Sequence, residues 1–279
     1  MKAILLSVSP DQKGIVEKIA HFVGSHGGNI TNTSQHEDGG VFISRVEFEL
    51  ENFDITKKNI PVEFEKVAKQ IKARFEIFFS DQIPKVCIMA SKEDHCLIDL
   101  ILRQKTGELN MKIACVISNH DELRKISEKE NIPFFFIPII ENDPTYEKKQ
   151  LDIIKKAKVE IIVLAKYMRI LSPNFLKKVG VPIINIHHSF LPDFAGANPY
   201  KRAYLRGVKM LGATAHYVTD ELDGGPIIEQ GVTKVTHTDN LVDFIRKGRD
   251  TEKTVLSNAL RLHLNHRVIM YNNKTAIFY

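Results

Sequence analysis

The chain has 279 residues, 43% of them hydrophobic and 26% charged, which is enough apolar content for packed cores and too much for a disordered segment. Its 39 basic and 34 acidic residues leave a formal charge of +5, spread without any block of like charges. No nucleic-acid stripe is therefore expected, while a mild basic excess suits an anionic small-molecule substrate. Three cysteines, Cys87, Cys96 and Cys115, lack CxxC spacing, so neither a disulfide framework nor a zinc site is indicated and a reducing cytoplasm is the expected compartment. The apolar run at residues 3–8 is too short for a signal peptide, and no stretch reaches the roughly 18 apolar residues of a membrane span.

Two modest domains are expected from the length. Residues 3–8 read as a strand, Ser9-Pro10-Asp11 as a turn, and the following segment to about residue 26 as a helix with Ile15, Val16, Ile19, Phe22 and Val23 on one face, ended by Gly27-Gly28. Between 41 and 50 the period changes to two, with Phe42, Val46, Phe48 and Leu50 opposite Arg45, Glu47 and Glu49, the pattern of a half-buried strand. A helix over 61–74 and a strand over 75–79 complete a β-α-β-β-α-β order, the ferredoxin-like motif, in a domain of residues 1–82. After Ile83-Pro84, strands at 85–90, 112–118, 134–138, 160–165 and 182–187 alternate with helices, which predicts a Rossmann-like, mostly parallel sheet. Later strands at 213–218 and 227–235 and a helix over 240–263 finish a domain assigned to residues 83–279. The fold class is α/β, with a small α+β domain in front.

Ligands of an open parallel sheet lie outside the carboxyl ends of its strands, which directs attention to Asn185-Ile186-His187-His188-Ser189. Alternation sets Asn185 and His187 on one side, as an amide donor and an imidazole in one cleft, or as structural hydrogen-bonding groups at the sheet end. The same alternation sends His187 and His188 to opposite faces, so they are not expected to share a metal, and no metal is expected. A second group follows the strand at 213–218, where Asp220, Glu221 and Asp223 occur within four residues. Asp220 and Glu221 read as a solvated acidic loop. Asp223 precedes Gly224-Gly225, which let the backbone fold tightly beside it.

Taken together, Asn185-Ile186-His187, Ser189-Phe190-Leu191-Pro192 and Leu222-Asp223-Gly224-Gly225-Pro226-Ile227-Ile228 resemble the folate-dependent formyl-transfer hydrolases and transferases, over residues 85–279. The run 186–192, with Ser91-Lys92-Glu93-Asp94-His95-Cys96-Leu97, resembles the deformylase branch. The resemblance implies hydrolysis of 10-formyltetrahydrofolate to formate and tetrahydrofolate, feeding one-carbon metabolism and purine biosynthesis, with the folate as substrate and no prosthetic group. Asn185, His187 and Asp223 are then the catalytic residues: the amide and a protonated imidazole stabilise the oxyanion, and Asp223 tunes the imidazole. The loop of Met168, Arg169, Ile170 and Leu171 corresponds to the pterin cradle, and Val218, Thr219 and Asp220 complete the folate site. Ile170 and Leu171 read equally as plain core.

The alternative within the family is a formyltransferase acting on glycinamide ribonucleotide, which needs a glycine-rich phosphate loop after the first strand. Ala90-Ser91-Lys92-Glu93-Asp94-His95-Cys96 lacks glycine and carries two carboxylates, which disfavours a phosphate. His95 either lines the cleft or is an exposed helix-start residue. Residues 1 to about 80 resemble an ACT domain through Ser9-Pro10-Asp11-Gln12-Lys13-Gly14-Ile15 and Gly27-Gly28-Asn29-Ile30. That resemblance implies an amino-acid effector, glycine or methionine being the candidates, held by Asp11, Gly14, Gly28 and Asn29 between paired copies, and hence a homodimer or homotetramer. The same four residues read equally as helix cap and turn.

Overall fold

A computed structural model describes residues 1–139, 145–191 and 199–279. The chain forms two compact units, one of residues 1–82 with 265–279, the other of residues 83–264.

In the first unit, β1 (Lys2–Pro10), α1 (Ile15–Ser25), β2 (Asn29–Asp38), β3 (Val41–Glu49), α2 (Ile60–Ile71) and β4 (Arg74–Phe79) build an antiparallel sheet of order β2-β3-β1-β4. Ile15, Ile19, Phe22 and Val23 of α1 and Phe64 of α2 cover one face, against Leu5, Val46 and Phe48. Val16, expected on that buried face, is exposed. The strand β1 also runs through the expected turn to Pro10, which pairs with Val41 of β3, while the Gly39-Gly40 hairpin joins β2 to β3. Both hairpin glycines have positive φ, as a tight two-residue connection requires.

The second unit comprises β5 (Lys85–Ala90), α3 (His95–Lys105), β6 (Lys112–Ser118), α4 (Arg124–Lys129), β7 (Phe134–Phe136), α5 (Thr145–Lys156), β8 (Ile161–Ala165), α6 (Pro173–Val179), β9 (Ile183–His187), α7 (Pro199–Arg206), β10 (Met210–Tyr217), β11 (Ile227–Lys234) and α8 (Leu241–Leu264). Its sheet has the order β11-β10-β9-β8-β5-β6-β7; β9 through β7 are parallel, and β10 and β11 antiparallel. Buried apolar runs such as Ile161-Ile162-Val163-Leu164-Ala165 reflect burial on both faces. The chain builds outward from β5 to β7 and then returns to place β8 on the other side of β5. Between β5 and β8 the winding reverses, and there the carboxyl ends of the strands open a crevice.

Residues 265–279 do not belong to the second unit, as a domain of residues 83–279 requires. They form a hairpin, β12 (Val268–Tyr271) and β13 (Lys274–Ile277), that packs on the face of the first sheet opposite its helices. Ile269, Tyr271, Ala276 and Phe278 bury Leu6 and Ile43 and pack with Phe78, while the Tyr271 hydroxyl donates to Asp38 at 3.1 Å. Leu5 and Leu6 are adjacent and both buried, so β1 is covered on both faces and needs this second layer. Among the described residues no helix is long and apolar enough to cross a membrane.

Candidate active site

At the carboxyl end of β9, a cleft of about 250 Å³ lies between the segment after β8 and the β10–β11 loop. Asn185 and His187 both open into it, and so does Asp223. The carboxylate of Asp223 sits between two imidazoles, with Oδ2 3.3 Å from His187 Nδ1 and Oδ1 3.5 Å from His216 Nε2. Hydrogen bonding to His187, and then to His216, outweighs burial and holds the Asp223 carboxyl well below the usual carboxylate range. The tight turn is made by Asp223 itself, whose φ is +54°, while Gly225 supplies the close approach: a Cβ there would fall 1.8 Å from the Tyr217 carbonyl oxygen.

His216, absent from the sequence-based set of catalytic residues, is nearly fully buried and faces Asn185 across the antiparallel β9–β10 pair. Its Nδ1 lies 2.9 Å from the Tyr217 carbonyl, which can only accept, so Nδ1 carries a hydrogen. In the neutral ring Nε2 is then bare and accepts from Asn185 Nδ2 at 3.2 Å; in the protonated ring it donates to Asp223 instead. The amide and the carboxylate are thus coupled through one nitrogen. Only the β9–β10 register reveals this, and a single strand's sequence does not contain it.

His187 and His188 do not point to opposite faces. Strand β9 ends at His187, alternation stops there, and the two rings stack with centroids 4.8 Å apart and planes 18° from parallel. Burial first, then the charge of Lys166, pushes His188 down to about 4, so it is neutral at pH 7. The following segment is pinned by Thr214 Oγ1, which donates to the Ser189 carbonyl at 2.9 Å and accepts from the Leu191 amide at 3.1 Å. Pro192 lies outside the described residues.

All seven residues expected at the folate line the same cleft: Met168, Arg169, Ile170 and Leu171 on one wall, Val218, Thr219 and Asp220 on the other. Met168 and Ile170 are 62% and 70% exposed, whereas Leu171 is 6% exposed and packs with Phe175 in the core. Ile170 is therefore not core, and Leu171 is. Lys166 and Met168 have positive φ, a strained geometry for residues with side chains. The loop is held in it by buried Tyr167, which accepts from Gln150 at 2.7 Å and is pushed up to about 12 by burial, and by Ser172, which caps α6 and is bonded by buried Glu147. A larger cavity of about 890 Å³ between α5 and α6 lies away from the strand-end chemistry.

Beyond His188, the crevice holds charged groups that sequence spacing does not connect. His95 is neither water-exposed nor isolated: its Nε2 is 2.6 Å from Glu252, which also accepts from Lys166 Nζ at 3.1 Å and from Tyr200. Although burial opposes ionisation, the His95 hydrogen bond and the Lys166 charge hold Glu252 at about 2. His95, Cys96 and Glu252 place ligand atoms within 4.8 Å of one another, but Lys166 already supplies the cation there.

In the first unit, Asp11 follows β1 and its amide donates to Gly40, and Gly14 caps α1 with φ of +85°. Gly28 is fixed by packing, since a Cβ would meet Val23 at 2.8 Å, and Asn29 donates to Glu49 at 2.9 Å. The two pairs lie at opposite ends of α1, whose 11 residues span about 16 Å, so one copy does not bring the four together.

The formyl transferase family model matches residues 84–260. The formyltetrahydrofolate deformylase of Synechocystis sp. is 48% identical over 282 residues, covering 100% of this chain and 99% of that protein. A formyltetrahydrofolate deformylase from Pseudomonas syringae pv. tomato has a crystal structure with a TM-score of 0.96 at 42% identity, covering 100% of this chain and 95% of that one. The phosphoribosylglycinamide formyltransferase from Anaplasma phagocytophilum has a TM-score of 0.65 at 27% identity, covering 71% of this chain and 96% of that one. The chain belongs to the formyl transferase family, among the formyltetrahydrofolate deformylases.

Proposed function

We propose that this chain hydrolyses the formyl C–N bond of 10-formyltetrahydrofolate, releasing formate and tetrahydrofolate for one-carbon metabolism and purine biosynthesis. The observation that carries this reading is the Asp223 carboxylate held between His187 and His216, with Asn185 bonded to His216, at the end of β9. With Nδ1 turned to Asp223, His187 keeps Nε2 for the substrate. Water attacks the formyl carbon, the developing oxyanion takes hydrogen bonds from Asn185 and protonated His187, and the C–N10 bond breaks as N10 gains a proton. Asp223 stabilises the imidazolium through this sequence. The pterin lies between the Met168–Leu171 wall and the Val218–Asp220 wall, with Arg169 toward the carboxylate tail, and no prosthetic group or metal takes part. A stopped assay with 10-formyltetrahydrofolate alone tests it: stoichiometric formate is expected. Tetrahydrofolate released only when glycinamide ribonucleotide is added would make the chain a formyltransferase.

Residues 1–82 serve in this reading as an ACT-like regulatory domain for the catalytic domain that begins at residue 83, in a cytoplasmic homodimer or homotetramer. The β2-β3-β1-β4 order with both helices on one face supports it. Because Asp11 and Gly14 lie far from Gly28 and Asn29 within one copy, the amino acid sits between copies, bonded by the first pair of one and the second pair of the other. Sedimentation and turnover with glycine or methionine added test this; a monomer insensitive to both would end it.

A further inference from the structure

Four side chains from four separate segments meet beyond His188: His95 at the start of α3, Lys166 after β8, Tyr200 in α7 and Glu252 in α8. Glu252 is fully buried, with Oε2 2.6 Å from His95 Nε2 and Oε1 accepting from Lys166 Nζ at 3.1 Å and from the Tyr200 hydroxyl. The Tyr200 ring is seated against α8 where Gly248 has no side chain; a Cβ there would fall 2.2 Å from a ring carbon. On the outer side Glu93 holds Arg249 at 2.9 Å and stands 3.5 Å from His95 Nδ1. Lys166 and His188 line the reaction cleft itself, and the Tyr200 ring centroid is 6.4 Å from that of His188.

The place matters as much as the contacts. His95 follows β5 and Lys166 follows β8, so the cluster stands at the carboxyl ends of the two strands where the winding reverses, the position at which an open α/β sheet ordinarily admits a ligand. Here paired side chains occupy it. Burying an ion pair gains little stability in itself, because desolvation offsets most of the attraction, so a role in the chemistry accounts better for the cluster than a role in folding. The phosphoribosylglycinamide formyltransferase of Anaplasma phagocytophilum shares the fold of the second unit and is named for an acceptor that carries an amine. One fold thus serves water and amine acceptors, and side chains at the crevice must choose between them.

We propose that the His95–Lys166–Tyr200–Glu252 cluster fills the space in which an amine acceptor would stand and so restricts the formyl carbon to attack by water. The inference rests on the hydrolase reading above. With water, a C–O bond forms, the C–N10 bond breaks, one water proton ends on N10 and the other leaves as the product ionises to formate. With an amine, a C–N bond forms, the C–N10 bond breaks and the amine proton ends on N10. The two routes differ only in the nucleophile, so the product ratio reads the choice directly.

The test is to incubate the full chain with 10-formyltetrahydrofolate and a large excess of glycinamide as the probe amine, and to quantify formate and N-formylglycinamide together. Wild type is expected to give formate alone. His95→Ala and Tyr200→Ala each remove a ring and leave the Lys166–Glu252 pair in place. Both are expected to raise the ratio of formylated amine to formate by about tenfold or more, the discrimination that a vacated side-chain volume confers. Tyr200→Phe keeps the ring and should keep the wild-type ratio. A ratio does not depend on how much enzyme is folded, so a destabilised variant still reports. Wild-type ratios in both alanine variants, or a wild type that formylates glycinamide as readily as they do, would overturn the proposal. Absence of formate from wild type would overturn the hydrolase reading instead.

Discussion

Asp223 bonds two histidines with one carboxylate, and His216 divides one nitrogen between Asp223 and Asn185. Substituting any of the three therefore disturbs more than one contact. Asn185→Ala is expected to lower kcat by about a hundredfold with KM little changed, as for loss of an oxyanion donor; unchanged kcat would remove Asn185 from the reaction. Asp223→Asn keeps the size of the side chain but loses the charge facing both rings, so kcat should fall by a similar factor. An unchanged kcat would make Asp223 structural. The residues of this site differ in how far sequence exposes them. Asn185, His187 and Asp223 stand in short motifs at strand ends and are legible. His216 is not, because its role depends on the register that sets it opposite Asn185. Glu252 is further still: its partners His95 and Lys166 are 157 and 86 positions away, and only the folded sheet brings them together.

Among the elements, the strands at 85–90 and 112–118 were legible to the residue, since a buried parallel strand is a short apolar run with sharp ends. The hairpin at the C-terminus was not. Its two strands have four residues each, too few for a period to show, and they follow a 24-residue helix that looks like a natural end. The adjacent buried pair Leu5-Leu6 was the available signal, because a sheet covered on one face alone would alternate. Removing residues 267–279 uncovers Leu6 and Ile43, and each such side chain contributes about 1.5–3 kcal/mol when buried. The truncated chain is expected to lose several kcal/mol in the first unit and to bind a hydrophobic dye; a thermal transition identical to that of the full chain would show that the hairpin adds nothing. On α8, Gly248→Ala drives a methyl into the Tyr200 ring and should displace its tip together with the hydroxyl that bonds Glu252, raising formylglycinamide in the assay above. An unaltered product ratio would mean that the ring moves without opening space.

For the molecule as a whole, two half-buried histidines and two hydrogen-bonded carboxylates of the second unit contribute to the response to acid. Burial pushes His188 and His263 down to about 4 from an ordinary 6.5, so the folded chain binds fewer protons than the unfolded one between those values, and stability falls as pH drops through that window. Each such shift amounts to on the order of 3 kcal/mol. Glu252 and Asp223 are depressed below ordinary values of 4.5 and 3.8; their contribution is complete above those values and is lost as pH falls toward their folded ones. Loss of stability should therefore begin near pH 6.5 rather than near 4.5. Urea midpoints measured from pH 7.5 to 5 check this, with His263→Asn expected to flatten the upper part; midpoints constant over that range would refute it. The hairpin also imposes an order on biosynthesis. Residues 1–82 leave the ribosome well before residues 265–279, which supply the layer that covers their second sheet face. At about 5–20 residues per second, that face stays open for roughly ten seconds or more before the hairpin is made. Every product terminated between residues 82 and 265 displays an apolar sheet surface, and so carries its own mark for chaperones and proteases.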